Sequence, residues 1–146
     1  MHRPAKSVSV VIIDDNLFSA EFVSTALARD GVRIYSAADP RQGLDLVYRH
    51  HPDIVVTDLV LPGMSGLEVL DRIVKFDPKV AVVLMTAYYS RRSAEEAKKR
   101  HAVDYLQKPI PLALLRERVG KLIDQALKGP STGEDTADSA GTANSN

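Results

Sequence analysis

Five short runs rich in Val and Ile alternate with longer stretches of helical periodicity along the chain, and this alternation constrains the fold more than any other feature. It predicts strand and helix in turn, wound as βα units around a parallel sheet. Strands are expected at Val8–Ile13, Val32–Tyr35, Ile54–Thr57, Val80–Met85 and Val103–Leu106. Val10-Val11-Ile12-Ile13 and Val80-Ala81-Val82-Val83-Leu84 are apolar at every position, the pattern of strands covered by helices on both faces. Helices are expected near Leu17–Arg29, Pro40–His50, Gly66–Phe76, Ser90–His101 and Leu112–Lys128. In the first, Leu17, Ala20, Val23, Ala26 and Leu27 recur near helical spacing and mark a buried face; in the last, Leu114, Leu115, Val119, Leu122 and Leu127 do the same.

The 146 residues suffice for one domain with a real core, and hardly for two. No large apolar side chain follows Leu127, and small and polar residues run to Asn146. The expected organisation is therefore an N-terminal extension over 1–7, a domain over 8–128, and a disordered tail or linker over 129–146. Nineteen basic residues balance nineteen acidic ones, so the charge calls for neither nucleic acid nor an anionic membrane as partner. The absence of cysteine excludes disulfides, thiolate metal sites and thiol catalysis, and fits a reducing, cytoplasmic setting. Asp14-Asp15 interrupts the first apolar run before it could serve as a signal core or a membrane span.

In an open parallel sheet the ligand site lies beyond the carboxyl ends of the strands. There the sequence places Asp14-Asp15 after the first strand, Asp58 after the third, Thr86 after the fourth, and Gln107-Lys108-Pro109 after the fifth. Three carboxylates at one rim repel, by about 4 kcal/mol per close pair at an effective dielectric near 20. A cation is needed. Oxygen donors suit hard Mg²⁺, which binds through one or two carboxylates plus a phosphate, rather than zinc. Lys108 then supplies the positive charge that a transferring phosphoryl group requires.

Ile13-Asp14-Asp15-Asn16, Thr57-Asp58-Leu59-Val60-Leu61-Pro62-Gly63-Met64-Ser65-Gly66, Met85-Thr86-Ala87-Tyr88 and Asp104-Tyr105-Leu106-Gln107-Lys108-Pro109 occur in order, each at the end of its own strand. Over roughly residues 8–127 the chain resembles the receiver domain of two-component response regulators. That resemblance implies a flavodoxin-like (CheY-like) α/β fold with strand order 2-1-3-4-5. It implies Asp58 as phosphoacceptor, with Mg²⁺ held by Asp14, Asp15, Asp58 and the backbone carbonyl of Val60, and with Thr86 and Lys108 on the phosphoryl oxygens. Tyr105 becomes the aromatic that turns inward as Thr86 moves, and Lys108–Pro109 a cis peptide, which proline permits at about 0.5–1 kcal/mol. Val60 and Tyr88 border the path of the hydrolytic water. The implied partners are a sensor histidine kinase or phosphotransfer protein as donor, and an output protein or effector domain on the face made by the fourth helix, last strand and last helix. A phosphorylation-dependent homodimer also fits. Such a chain is a phosphoacceptor that catalyses its own phosphorylation and slow dephosphorylation, rather than an enzyme.

Each residue also has a plainer reading. Asp14 and Asp15, taken alone, suit a strand-to-helix turn with a capping carboxylate equally well. Thr86 suits an ordinary strand-end hydroxyl, and Tyr105 a half-buried strand aromatic. Gly63 and Gly66 suit a turn and a helix start. His50, His51 and His101 lie near helix ends, where a cation offsets the macrodipole.

Other functions fit less well. A haloacid-dehalogenase-type phosphatase needs a second Asp two residues after the first, where this chain has Val60. A flavodoxin-like FMN module needs a Ser, Thr and Gly loop where Asp14-Asp15 stands. A receiver-like interaction module working without phosphorylation does not need the complete acidic set. The fourth helix departs from the receiver pattern: Glu95 and Lys98 stand where bulky apolar residues are usual, and His101 where a Gly is usual. Only Ala94 and Ala97 remain to bury there. Glu95–Lys99 and Glu96–Arg100 have i,i+4 spacing, worth a few tenths of a kcal/mol each. This helix reads as charge-laced and solvated, or as a loosely anchored surface for a partner.

Overall fold

The computed structural model of the chain describes residues 7–129. Strands β1 (Val8–Ile13), β2 (Val32–Ala37), β3 (Ile54–Asp58), β4 (Ala81–Thr86) and β5 (Asp104–Gln107) alternate with helices α1 (Leu17–Leu27), α2 (Pro40–His50), α3 (Gly66–Phe76), α4 (Arg91–Lys99) and α5 (Leu112–Lys128). All strands are parallel and run β2-β1-β3-β4-β5 across the sheet, the expected doubly wound order.

Alternation along the strands feeds two cores. On one face Val8, Val10, Ile12, Ile54 and Val56 meet Ala20 and Val23 of α1 and Leu115, Val119 and Ile123 of α5. On the other, Val11, Ile13, Val55 and Leu84 meet Leu44 and Val47 of α2, Val69, Leu70 and Ile73 of α3, and Ala97 of α4. Each large aliphatic side chain buried this way contributes about 1.5–3 kcal/mol. Four helices begin on the side chains that sequence favours for capping: Asn16, Asp39, Ser65 and Ser90 each accept a backbone N–H of the first turn.

Several boundaries differ from the sequence reading. The third strand runs one residue further, and the fourth and fifth are displaced by one, because pairing fixes Asp58 opposite Met85 and Thr86 opposite Gln107. Asp58 and Thr86 are thus the last residues of their strands. The second strand extends through Ala37, paired with Ile13. Helix α1 stops at Leu27 because Ala28 is extended, and α4 stops at Lys99, with His101 at φ 75° just beyond. Leu17 is a further correction: it fits the apolar spacing of α1, yet it is 74% exposed. The N-terminal extension apart from Ser7, and the proposed tail apart from Gly129, lie outside the described residues. Among the described residues no helix is long and apolar enough to cross a membrane.

Candidate functional site

The carboxyl ends of β1, β3, β4 and β5 meet at one rim, where the backbone itself fixes the acidic residues. Asp14 N–H donates to Ala37 O at 3.0 Å, Leu59 N–H to Met85 O at 2.7 Å, and Lys108 N–H to Thr86 O at 2.8 Å. Gly66, the first residue of α3, donates its N–H to Leu59 O at 2.7 Å. A Cβ there would collide with the Asp58 carbonyl oxygen and Leu59 Cα, so only glycine lets α3 start this close to the phosphoacceptor candidate.

Asp14, Asp15 and Asp58 each present a carboxylate oxygen within 4.8 Å of the others. Asp14 and Asp58 are buried and Asp15 is exposed. Lys108 Nζ donates to Asp14 Oδ2 and to Asp58 Oδ2, both at 2.8 Å. Asp14 Oδ1 accepts the Asn16 N–H at 2.9 Å, and Asp58 Oδ1 the Val60 N–H at 3.3 Å. Burial disfavours the charged form of Lys108, but its hydrogen bonds to Asp14 and Asp58 and their charges outweigh this, so its pKa lies above the ordinary lysine value. Three carboxylates against one ammonium leave two negative charges uncompensated, a donor set of oxygens that fits one divalent hard cation.

Of the remaining expected residues, Val60, Tyr88 and Pro109 line the cleft that holds Asp58 and Lys108, while Thr86 and Tyr105 lie on the neighbouring strands β4 and β5. Thr86 is fully buried and its Oγ1 accepts the Tyr88 N–H at 2.9 Å. Tyr105 is half-buried in β5, its ring centroid 5.1 Å from that of Tyr89 and its hydroxyl buried with no hydrogen-bond partner among the described residues. The Lys108–Pro109 peptide is cis. Val60 and Tyr88 are exposed and line the same cleft as Asp58 and Lys108.

The model of the response regulator receiver domain family matches residues 10–120. The chain belongs to this family. It is 31% identical over 114 residues to sporulation initiation phosphotransferase F of Bacillus subtilis, an alignment covering 78% of this chain and 92% of that protein. It is 32% identical over 119 residues to the regulatory protein AtoC of Escherichia coli, covering 82% of this chain but 25% of the regulator, so it spans about a quarter of that relative. A crystal structure of a response regulator receiver domain protein from Clostridium thermocellum superposes with a TM-score of 0.74 at 27% identity, covering 82% of this chain and 96% of the other. Receiver domains are phosphoacceptors of two-component systems that bind Mg²⁺ at an acidic pocket, and response regulators work with histidine kinases and output effectors.

Two features of this receiver were not read from the sequence. Phe18 and Phe22 of α1 are exposed, by 85% and 41%, and line the cleft beside Asp58. Their i,i+4 spacing directly after the acidic pair was the available signal. His51 and His101 have positive φ, 47° and 75°, where α2 and α4 end, so they turn the chain as left-handed residues. His50 stacks on Tyr35, with ring centroids 4.0 Å apart.

Proposed function

We propose that this receiver takes a phosphoryl group onto Asp58 from a histidine kinase or phosphotransfer protein. The observation that carries the reading is Lys108 Nζ, held 2.8 Å from Asp58 and from Asp14 at a rim that retains negative charge. A carboxylate oxygen of Asp58 forms the bond to phosphorus while the bond to the donor breaks in line with it. Asp14, Asp15, Asp58 and the Val60 carbonyl are the groups that would hold Mg²⁺, which when bound neutralises charge on the phosphoryl oxygens. Lys108 and Thr86 contact those oxygens. Asn16, by bonding Asp14 Oδ1, fixes one carboxylate in place.

Thr86 gives up its bond to the Tyr88 N–H to reach the phosphoryl group, and Tyr105 follows into the space beside it. The surface of α4, β5 and α5 changes as a result and is read by an output protein, an effector domain or a second copy of the chain. Signal lifetime is set at Val60 and Tyr88. Neither a branched apolar chain nor an exposed aromatic ring holds a water in line with the aspartyl phosphate, so self-dephosphorylation is slow.

Incubation with acetyl phosphate and Mg²⁺ should add one phosphoryl group by intact mass, at Asp58. EDTA or Asp58→Asn should abolish the gain, and retention of the label in Asp58→Asn would refute the assignment. Val60→Asn with Tyr88→Glu should shorten the lifetime of the label, since a tenfold change needs only about 1.4 kcal/mol. An unchanged decay would remove these two side chains from control of water access.

A further inference from the structure

The cleft at Asp58 is larger and more apolar than a phosphoryl group requires. Its volume is about 740 Å³, within the range of about 300–1,000 Å³ typical of small-molecule sites. Asp58 and Lys108 lie in it together with Phe18, Phe22, Tyr88 and Pro109. Phe18 and Phe22 contribute little to either core: Phe18 is 85% exposed and Phe22 41%, while Ala20, Val23, Ala26 and Leu27 of the same helix pack on the sheet. One turn apart, the two rings stand on one side of α1 beside the acidic rim. Two aromatic rings kept in water next to a charged centre make a surface for a flat apolar group whose polar end reaches that centre.

We propose that Phe18 and Phe22 select phosphodonors by their leaving group, favouring donors in which the departing group is a planar aromatic ring. The inference rests on Asp58 being the phosphoacceptor. In the step itself an Asp58 oxygen bonds to phosphorus as the bond to the leaving group breaks, and the bonding pair departs with that group. Phosphoimidazole protonated on its second nitrogen releases neutral imidazole; benzoyl phosphate releases benzoate. In both cases the departing ring lies against Phe18 and Phe22, so contact with the walls is kept while the bond stretches. Donors without a ring, such as phosphoramidate and acetyl phosphate, leave that surface unused.

Two matched pairs isolate the ring from the chemistry of the broken bond. Phosphoimidazole and phosphoramidate both break a P–N bond, and benzoyl phosphate and acetyl phosphate both break an acyl P–O bond. Initial rates of labelling are measured for all four donors, at saturating Mg²⁺, on the full chain and on Phe18→Ala, Phe22→Ala and the double variant. Phe18 is exposed enough that its loss leaves the core untouched, and circular dichroism of each variant checks its fold. The ring-to-ringless ratio within each pair should fall about threefold or more in the double variant, the scale of one lost aromatic contact. Unchanged ratios overturn the inference, whether or not the absolute rates drop. Labelling of the unaltered chain by all four donors with unchanged ratios leaves Asp58 as phosphoacceptor and removes only the aromatic selection. Absence of labelling by any donor defeats the phosphoacceptor reading and this inference with it.

Discussion

Helices α3 and α4 cover the same face of the sheet, yet they are attached by different physics. Helix α3 buries Gly66, Val69, Leu70 and Ile73 and begins pressed against the backbone of Asp58. Helix α4 buries Ala97 alone. Its further tie to α3 is polar: Arg100, at its C-terminus, donates through Nη1 to Asp71 Oδ2 of α3 and through Nε to Glu96, each at 2.9 Å. The hydrogen bond to Glu96 raises the Arg100 pKa above its ordinary value; desolvation opposes this, and the charges of Asp71 and Glu96 add to the rise. A helix held by apolar burial cannot move without opening a cavity, whereas one held by an exposed ion pair and a single methyl can shift at little cost. The difference leaves α3 fixed against the acidic rim and makes α4 the easier of the two to displace.

Truncation should expose this difference most strongly. Leu70→Ala in α3 is expected to lower stability by about 2–5 kcal/mol in denaturant unfolding, against about 1 kcal/mol for Ala97→Gly in α4. Equal losses would show that α4 is as firmly packed as α3. In native-state amide exchange, residues 91–99 should open more readily than residues 66–76, because few buried contacts oppose local unfolding there. Strong protection of α4 would contradict its weak anchorage. A smaller effect is expected from salt and from Arg100→Met, both of which should speed exchange in α4 and leave α3 unchanged, since screening acts on exposed charges and not on apolar packing.

The smallest effect belongs to the rim. Because the folded pKa of Lys108 is raised, its stabilising interaction is fully present below the ordinary lysine pKa of about 10.4 and is lost as pH climbs through the higher folded value. Alkaline unfolding curves should therefore show a loss in this window that Lys108→Met does not share. An identical pH dependence in the variant would mean that the Lys108 pairing adds nothing to folding.

The sheet was legible because Val10 to Ile13 and Val80 to Leu84 are apolar on both faces, which only helices on both sides satisfy. The rim was legible because its functional groups fall at consecutive strand ends. Exact boundaries were not, since the pairing of Asp58 with Met85 and of Thr86 with Gln107 is set between strands distant in sequence. Leu17 misled for a related reason: it fits the apolar stripe of α1, but the first turn of that helix borders the open cleft, as Asn16, Phe18 and Ser19 show. The left-handed turns at His51 and His101 are missed when both histidines are read as charges at helix ends; His101 standing where a Gly is usual was the available signal for positive φ. The sparse apolar face of α4 was read directly from its residues; the Arg100–Asp71 pair joining it to α3 depends on packing.

Amide exchange of α3 and α4 in the presence of Mg²⁺ and beryllofluoride, a mimic of the phosphoryl group, tests the link between rim and switch most directly. Protection should change over residues 90–106 and stay constant over 66–76, and the change should vanish in Asp58→Asn and weaken strongly in Thr86→Ala. The same exchange pattern with and without the mimic, or an equal response in Asp58→Asn, would contradict a signal that starts at Asp58 and ends at α4.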